Sequence, residues 1–382
     1  MKVLLIGDAS NYHAALGDAL RGLGAEVVVA SDGSRWMQTG RDIDISRPFE
    51  GRLGGLALWL KLRYGLRQRL SGFDVVSLSS VGFARQRPER LIALFDMLRR
   101  SNRSVFLTAL GTDTFYVDEC VRPDSLLAYN EWQVYGRPSP LALARPDALA
   151  AWQAPGLRAL CSHIYPRIDG ATSVLYEYDK VLTRHLAPER HAYTGIPVDT
   201  VGLRPVELPE RPDKVRLFLG RHRDRTVEKG TDILEAAARS VVERHPDKAE
   251  LVIVENRPYA EYLTLLKSAH VVLDQIYSYT PATNALLAMA YGLNVVSGGE
   301  EEFYRFIGED TLRPIINVRP DFEHVRHTLE QTVLRPELLR PRGLESRLFV
   351  ERHNSYEAVG RRTLDFWQSR LNHTSLTSAK PS

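Results

Sequence analysis

The feature that most constrains the fold is an alternation of short apolar runs with segments of helical periodicity. An apolar run at residues 3–6, a helical pattern at 14–24 and a second apolar run at 26–30 together predict a βαβ unit. Further runs at 74–78 and 104–107 continue the pattern. Strands joined through crossover helices lie parallel in a sheet that is covered on both faces, so the sequence predicts an α/β fold.

The alternation stops at a proline-rich stretch and then begins again. Four prolines fall within sixteen residues, at positions 197, 205, 209 and 212. Beyond them, predicted strands at 215–219, 250–254, 271–274 and 294–297 alternate with predicted helices at 231–243, 258–268 and 281–291. A chain of 382 residues is also too long for one ordinary core, since domains average roughly 150 residues. No internal sequence repeat accompanies the second half.

We therefore predict a division into two similar α/β domains. The expected boundaries are 1–197 for the first domain, 198–212 for a linker, 213–355 for the second domain, and 356–382 for a C-terminal helix and tail. The stretch 118–167 contains six prolines and cannot be assigned to elements from its pattern alone.

Composition excludes several classes of protein. The 50 basic and 47 acidic residues leave a net charge of +3, far from the excess that a duplex-binding protein carries, so nucleic acid is not an expected partner. The two cysteines, Cys120 and Cys161, suggest neither a metal site nor a disulfide framework. The apolar start is cut short by Gly7 and Asp8, and no run is long enough to span a membrane. We expect a cytoplasmic protein.

The loop at 221–229 is the strongest candidate for a ligand site. It follows a predicted strand, where parallel sheets bind their ligands, and it carries four fixed cations: Arg221, Arg223, Arg225 and Lys229. Gly230 allows close approach of the backbone, and Thr231 is placed to cap the next helix. This combination suits a diphosphate. The alternative is a solvated loop whose charge is balanced by Asp224 and Glu228.

A second helix start is predicted directly after the strand at 271–274. Thr280 is placed as the N-cap and Pro281 as the first helical residue, which leaves the amides of Ala282 and Thr283 free. We expect Thr280, Ala282 and Thr283 to bind the diphosphate. The alternative is an ordinary helix start without a ligand.

Two further loops of the second half contain candidate contacts for a donor. Tyr259 offers an aromatic face of the kind that receives a nucleobase, or packs on its own helix. Glu300 and Glu301 follow Gly298 and Gly299 at the end of a predicted strand, where they either bind hydroxyl groups or are solvated.

The first half contributes candidates on the opposite side of the expected cleft. The loop after the first strand lacks the Gly-x-Gly-x-x-Gly pattern of dinucleotide oxidoreductases, and its Asp8, Ser10 and Asn11 are candidate acceptor contacts. His13, at a helix start, is placed to donate to a phosphate or hydroxyl group. Asp113 is either a general base for the acceptor hydroxyl or a helix cap.

The segment 52–69 mixes apolar residues with two aromatic residues and five cations, and it has no acidic residue. It either lies on an anionic membrane surface beside a lipid-linked acceptor or packs on a sheet edge with its cations extended to solvent.

These residues carry a resemblance to a known family. Gly220-Arg221, Glu228-Lys229-Gly230 and the segments 274–281 and 288–296 resemble the retaining GT-B glycosyltransferases of the glycogen-synthase-like superfamily, in its bacterial group 1 or family 4-like branch. Segments 7–13 and 110–116 are also similar to that branch. The resemblance covers nearly the whole chain, and its most specific part is the block 270–297.

The resemblance implies two Rossmann-like domains that face an interdomain cleft, with a C-terminal helix that crosses back to the first domain. It implies an acceptor, either a glycan or a lipid-linked molecule, on the first domain and a nucleotide-diphosphate sugar on the second. It also implies transfer with retention and without a metal or other cofactor, in the synthesis of a bacterial surface polysaccharide. Without a metal, arginine, lysine and helix amides must balance the leaving diphosphate. Asp113, His13 and Lys229 are the expected catalytic residues.

One departure from the family pattern concerns its Glu-x7-Glu motif, whose two glutamate positions correspond to Tyr279 and Leu287 here. Either this branch contacts the sugar through Tyr279, Asn284 or the glutamates after Gly299, or the site does not transfer sugar. Because the phosphate-binding features are present, we favour transfer. A non-catalytic sugar-nucleotide or glycan-binding protein and a nucleotide-sugar epimerase remain alternatives.

Overall fold

The computed structural model describes residues 1–34, 39–221, 225–255 and 257–378, with only the backbone described for 373–378. Its strands form two larger sheets and a small hairpin. The strands are β1 (Lys2–Ile6), β2 (Glu26–Ser31), β3 (Ile43–Asp44), β4 (Val75–Leu78), β5 (Val105–Ala109), β6 (Gln133–Val134), β7 (Arg137–Pro138), β8 (Gly170–Ser173), β9 (His191–Tyr193), β10 (Val215–Arg221), β11 (Ala249–Glu255), β12 (Val271–Leu273), β13 (Asn294–Ser297) and β14 (Ile316–Asn317).

Helices connect the strands and cover both sheets. They are α1 (Tyr12–Gly22), α2 (Gly51–Leu60), α3 (Pro88–Ser101), α4 (Thr114–Val121), α5 (Pro140–Ala144), α6 (Pro146–Trp152), α7 (Pro155–Ile164), α8 (Tyr176–His185), α9 (Thr226–Lys229), α10 (Thr231–Arg244), α11 (Tyr259–Lys267), α12 (Thr283–Ala290), α13 (Glu301–Ile307), α14 (Phe322–Leu334), α15 (Leu339–His353) and α16 (Tyr356–Ser378).

The first sheet is parallel and has the strand order β3-β2-β1-β4-β5-β8-β9. Along β1, Val3 and Leu5 belong to one hydrophobic cluster, whereas Leu4 and Ile6 belong to the other. Successive side chains of a strand point to opposite faces, and both faces here are covered by helices. This burial on both sides is why the strand is continuously apolar in sequence.

The second sheet is also parallel and has the order β11-β10-β12-β13-β14. Phe218 of β10 faces the layer that contains α12, whereas Leu217 and Leu219 face the layer that contains α10 and α14. The predicted fold class, α/β with two Rossmann-like halves, is therefore confirmed. The residue boundaries proposed for the domains and the linker remain predictions.

The C-terminal helix crosses back to the first sheet, as the resemblance implies. Helix α16 packs along α1, and its Trp367 is fully buried with its ring centroid 5.9 Å from that of Phe106 in β5. Arg370, further along the helix, donates to the carbonyl of Asp169 at 3.2 Å. The aromatic residues near the C-terminus thus belong to the core of the first domain.

The proline-rich stretch that the sequence left unassigned forms a cluster of short helices and the antiparallel hairpin β6–β7. Part of it reaches the second domain. Helix α5 packs against α9, and Val134 packs on the hydrophobic cluster of Leu217 and Leu219. Proline favours the first turn of a helix, so closely spaced prolines produce several short helices rather than one long helix.

Segment 52–69 is not one continuous helix. Helix α2 ends at Leu60, and a π-helical turn at Lys61–Gly65 and a 3-10 turn at Gln68–Leu70 follow it. In the part of the chain that the structure describes, every helix is too short or too polar to cross a bilayer.

Candidate functional site

Loops at the carboxyl ends of β10 and β12 meet because these strands are neighbours in the second sheet. Gly230, between α9 and α10, has a φ of +68°, and a Cβ there would lie 2.3 Å from Cγ1 of Ile276. The amide of Ile276 donates to the carbonyl of Lys229 at 3.1 Å. Only glycine tolerates this combination of backbone conformation and close packing, and it fixes Lys229 beside the loop that follows β12.

Lys229 is the cation at the centre of this junction. Its Nζ lies 3.8 Å from Oδ1 of Asp274, which is buried, while the lysine side chain keeps 29% of its exposure. The buried carboxylate holds the ammonium group at the carboxyl end of the sheet without enclosing it. Lys229 therefore remains accessible to an anion.

The neighbouring arginines differ in how far their charge is balanced. Arg221 is the last residue of β10 and binds Glu255 at 2.8 Å and also Glu235, so its guanidinium is paired with two carboxylates. Arg225 binds Glu228 at 3.1 Å, and about half of its side chain is exposed. Arg223 lies outside the described residues.

Helix α12 begins later than its sequence predicts. Its first residue is Thr283 and its N-cap is Ala282, so the expectation that Thr280 is the N-cap and Pro281 the first helical residue is wrong. The hydroxyl of Thr280 instead accepts from the amide of Tyr176 at 3.0 Å and donates to Oε2 of Glu177 at 2.7 Å. Tertiary contacts with the first domain have thus replaced the local cap.

The later start changes which amides are available to an anion. Leu286 donates to the carbonyl of Ala282, so the amides from Thr283 to Ala285 lie in the first turn, where a helix offers no partner of its own. Asn284 accepts from the hydroxyl of Tyr262 at 2.5 Å. The cap predicted for α10 is also wrong, since Gly230 is the N-cap and Thr231 donates to the carbonyl of Thr226.

Tyr279 joins the two domains. Its ring stacks on that of Tyr129 with centroids 4.6 Å apart and planes 12° apart, and its hydroxyl accepts from the amide of Tyr129 at 3.2 Å. Its own amide donates to Oε1 of Glu177 at 3.1 Å. The side chain is buried, so Tyr279, which the sequence analysis aligned with a glutamate of the family motif, acts as a link between the domains.

Glu300 forms a second link between the domains, while Glu301 does not. The carboxylate of Glu300 is buried and accepts from the hydroxyl of Tyr129 at 3.0 Å, from Asn317 at 2.9 Å, and from Arg319 through both oxygens. Burial alone would raise the pKa of Glu300, but these hydrogen bonds outweigh it and lower that pKa. Glu301 is exposed and pairs with Arg313.

Tyr259 begins helix α11 at the carboxyl side of β11, and 44% of its surface is exposed. Its ring therefore remains accessible at the strand end where the sequence analysis placed a nucleobase contact, and that role remains a prediction.

Asp113 has the geometry of a helix cap. One oxygen of its buried carboxyl accepts from the amide of Tyr116 at 2.8 Å, and the other accepts from the hydroxyl of Tyr165 at 2.8 Å. Burial raises the pKa of Asp113. The general-base role remains a prediction, and it would require one oxygen to exchange Tyr165 for the acceptor hydroxyl.

The loop after β1 combines backbone strain with a buried histidine. Ser10 and Asn11 both have positive φ angles, which non-glycine residues seldom adopt outside functional sites and tight turns. The Nδ1 of His13 lies 2.6 Å from the carbonyl of Gly7, while its Nε2 has no partner among the described residues. Burial lowers the pKa of His13, which favours a neutral ring whose free nitrogen accepts rather than donates. The backbone amide of His13 donates a hydrogen bond to Oδ1 of Asp8 at 2.8 Å.

Sequence analysis missed two carboxyl groups of the first domain. Glu177 lies at the start of α8 and receives the contacts from Tyr279 and Thr280 described above. Glu131 is half-buried, accepts from the hydroxyl of Tyr116 at 2.8 Å, and is close enough to Glu228 of the second domain to be repelled by it. Glu131 lies in the proline-rich stretch and Glu177 at a helix start, and neither belongs to a motif. Only their tertiary contacts indicate a role.

Burial, reinforced by repulsion from Glu228 and Glu177, raises the pKa of Glu131 from 4.5 to about 7. The folded protein therefore keeps a proton that the unfolded chain releases, and the free energy of unfolding must fall as pH rises through this window. We expect wild type to lose about 1–3 kcal/mol between pH 5 and 8 relative to Glu131→Gln, as measured by urea unfolding. Identical pH dependence in both proteins would contradict the burial of this carboxyl group.

The arrangement of two parallel sheets and a returning C-terminal helix matches known structures. HepE from Anabaena, in a structure with UDP and glucose, matches with a TM-score of 0.60 at 10% identity, over 97% of this chain and 100% of that chain. The chain has the GT-B fold. Sucrose-phosphate synthase from Thermosynechococcus elongatus, with the same fold, matches with a TM-score of 0.60 at 14% identity, over 98% of this chain and 100% of that chain.

The GT-B fold is not confined to transferases among the similar structures. A putative UDP-N-acetylglucosamine 2-epimerase from Listeria monocytogenes matches with a TM-score of 0.54 at 13% identity, over 97% of both chains. The sequence itself matches no protein-family model and no curated protein. At these identities the likeness establishes the fold, and the chemistry has to be argued from the site.

Proposed function

We propose that this protein is a glycosyltransferase that moves a sugar from a nucleotide-diphosphate sugar to a glycan or lipid-linked acceptor. One observation carries the proposal. Lys229 and the first turn of α12 lie on neighbouring strand ends of the second sheet, and Thr280, just before that turn, contacts the first domain. A lysine and the N-terminus of a helix at the carboxyl end of a parallel sheet are suited to a diphosphate.

The polar groups around the site support this assignment of roles. Lys229 would neutralise the leaving diphosphate, and Arg225 would assist by exchanging Glu228 for a phosphate oxygen. The amides of Thr283 and its neighbours would bind the opposite oxygens. With the charge balanced by side chains and amides, transfer would need no metal ion, and we propose retention at the anomeric carbon.

The acceptor would approach from the first domain. Asp8, Ser10, Asn11 and His13 lie together after β1, at the carboxyl edge of the first sheet, and this edge is where an open α/β sheet binds its ligand. We propose a polysaccharide or its lipid-linked precursor as the acceptor, because a polar loop with a buried neutral imidazole suits hydroxyl-rich molecules.

A panel of nucleotide-diphosphate sugars, each incubated with and without candidate acceptors, tests the proposal by NMR of the anomeric proton. We expect release of nucleoside diphosphate with formation of a glycoside of unchanged anomeric configuration. Binding of donors without any turnover would favour a non-catalytic sugar-nucleotide protein. Conversion of a donor in the absence of acceptor would favour an epimerase, an activity named for one protein of the same fold.

Helix α2 and the turn after it present an apolar face to solvent. Leu53, Leu56, Leu60 and Tyr64, at three- and four-residue spacing, are 71%, 38%, 45% and 63% exposed. The segment carries five cations and no acid, although Lys61 also donates to a backbone carbonyl. We propose that this face contacts an anionic membrane surface, where the protein would meet a lipid-linked acceptor from the cytoplasmic side.

We expect the protein to float with vesicles that contain anionic lipid, and the double variant Leu53→Ser/Leu60→Ser to reduce the bound fraction at least fivefold. Loss of apolar area at the interface weakens binding by about 25 cal/mol per Å². Leu143→Ser, at a leucine 72% exposed elsewhere on the first domain, is the matched control. Equal flotation of wild type and both variants would contradict the proposal. So would a wild-type protein that does not float with the vesicles.

A further inference from the structure

A cavity of about 280 Å³ lies along β14, the outer strand of the second sheet. Ile315 and Ile316 form its apolar floor, and α14 contributes Thr328 and Gln331 to one wall. The cavity is separate from the interdomain site. The side chains that follow it along the chain, Asn317 and Arg319, turn towards Glu300 instead and do not line it.

The lining of the cavity is rich in basic side chains. Arg313, Arg335 and Arg342 line it, and none of the described residues that line it is an aspartate or a glutamate. Arg313 is already paired with Glu301 outside the cavity. Within the described part of the chain, the side chains of Arg335 and Arg342 make no hydrogen bond and no ion pair.

Arg342 is the more constrained of the two unpaired arginines. It is half-buried in helix α15, and burial lowers the pKa of its guanidinium, with Glu345 one turn along the helix opposing that change. Partial desolvation of a cation is unfavourable, and a bound anion would restore the lost interaction. If both side chains were fully exposed, water would solvate their charges and no ligand would be needed. The partial burial of Arg342 therefore points to a ligand.

We propose that this cavity binds a phosphate-bearing small molecule, with Arg335 and Arg342 on the phosphate and the apolar part of the molecule over Ile315 and Ile316. Guanidinium groups bind phosphate oxygens through paired hydrogen bonds, and Thr328 and Gln331 offer further polar contacts. The volume, about 280 Å³, is just below the roughly 300–1,000 Å³ of small-molecule sites, which suits a monophosphate rather than a larger ligand.

Isothermal titration of the whole protein with inorganic phosphate and with adenosine 5′-monophosphate, each in the presence of saturating UDP, tests the proposal. We expect binding that UDP does not displace, with the nucleotide bound more tightly than phosphate because its ring covers the apolar floor. Arg335→Gln/Arg342→Gln should weaken both at least tenfold. Arg340→Gln is the matched control, since Arg340 lies on the same helix but pairs with Glu210.

Thr328→Glu provides a second route that leaves both arginines in place. The new carboxylate would pair with the guanidinium groups and should also weaken binding at least tenfold. Binding that persists unchanged in both variants, or the absence of binding at millimolar probe, would overturn the proposal. A protein that binds no nucleoside diphosphate of any base but binds phosphate through Arg335 and Arg342 would refute the proposed function and leave this site standing.

Discussion

Replacement of Lys229 by alanine should lower kcat/KM for sugar transfer by about 10²–10³-fold. Preorganised groups aimed at charge that develops in the transition state contribute on this scale. The affinity for nucleoside diphosphate should fall by about tenfold, which corresponds to roughly 1.4 kcal/mol, because a charge-assisted hydrogen bond is lost. Steady-state kinetics and titration calorimetry measure the two effects separately.

The control for this variant has to account for Asp274, which loses its cation in Lys229→Ala. Thermal unfolding should therefore be measured in parallel, with affinities compared at a temperature where both proteins are folded. Lys248→Ala is the matched lysine variant. Lys248 directly precedes β11 and therefore lies at the amino ends of the strands, whereas Lys229 lies at their carboxyl ends. Unchanged kinetics and affinity in Lys229→Ala would remove this residue from the site.

Replacement of Glu300 by alanine should lower the free energy of unfolding by about 2–4 kcal/mol. The variant leaves the hydroxyl of Tyr129, the amide of Asn317 and the guanidinium of Arg319 without their common acceptor. Loss of one partner of a buried ion pair typically costs 3–5 kcal/mol, and we expect somewhat less because Arg319 is half exposed. Urea unfolding at pH 7 measures the difference.

Glu301→Ala is the matched control, since it removes an adjacent carboxylate from an exposed pair with Arg313 and should cost far less than Glu300→Ala because solvent screens that pair. The pKa of Glu300 lies below its ordinary value, so its contribution should be complete above about pH 4.5 and should disappear as pH falls through the lowered pKa. Equal destabilisation by the two variants, or a difference that persists at low pH, would contradict the buried network.

Sequence periodicity predicted the two parallel sheets because each strand is apolar on both faces and each helix carries one apolar stripe. Residue type and position after a strand also placed Lys229 at the carboxyl end of the second sheet, where the structure has it. The helix starts were predicted less well. Thr280 has the local pattern of an N-cap, but hydrogen bonds to Tyr176 and Glu177 in the first domain override it.

Contacts between the domains could not be predicted from local pattern. Tyr129 lies more than a hundred residues from Tyr279 and Glu300, and neither its spacing nor its surroundings indicate that it binds both. The pKa of Glu131 depends on Glu228 across the domain boundary in the same way. These hydrogen bonds and this pKa shift arise from tertiary packing, whereas a sequence motif contains only residues that are close together along the chain.

The most direct test of the central claim is a crystal structure of the protein soaked with a nucleoside diphosphate. The account predicts diphosphate oxygens within about 3 Å of Nζ of Lys229 and of at least one amide in the first turn of α12. Diphosphate bound elsewhere, or an interdomain junction that excludes it while the protein still transfers sugar, would contradict the account.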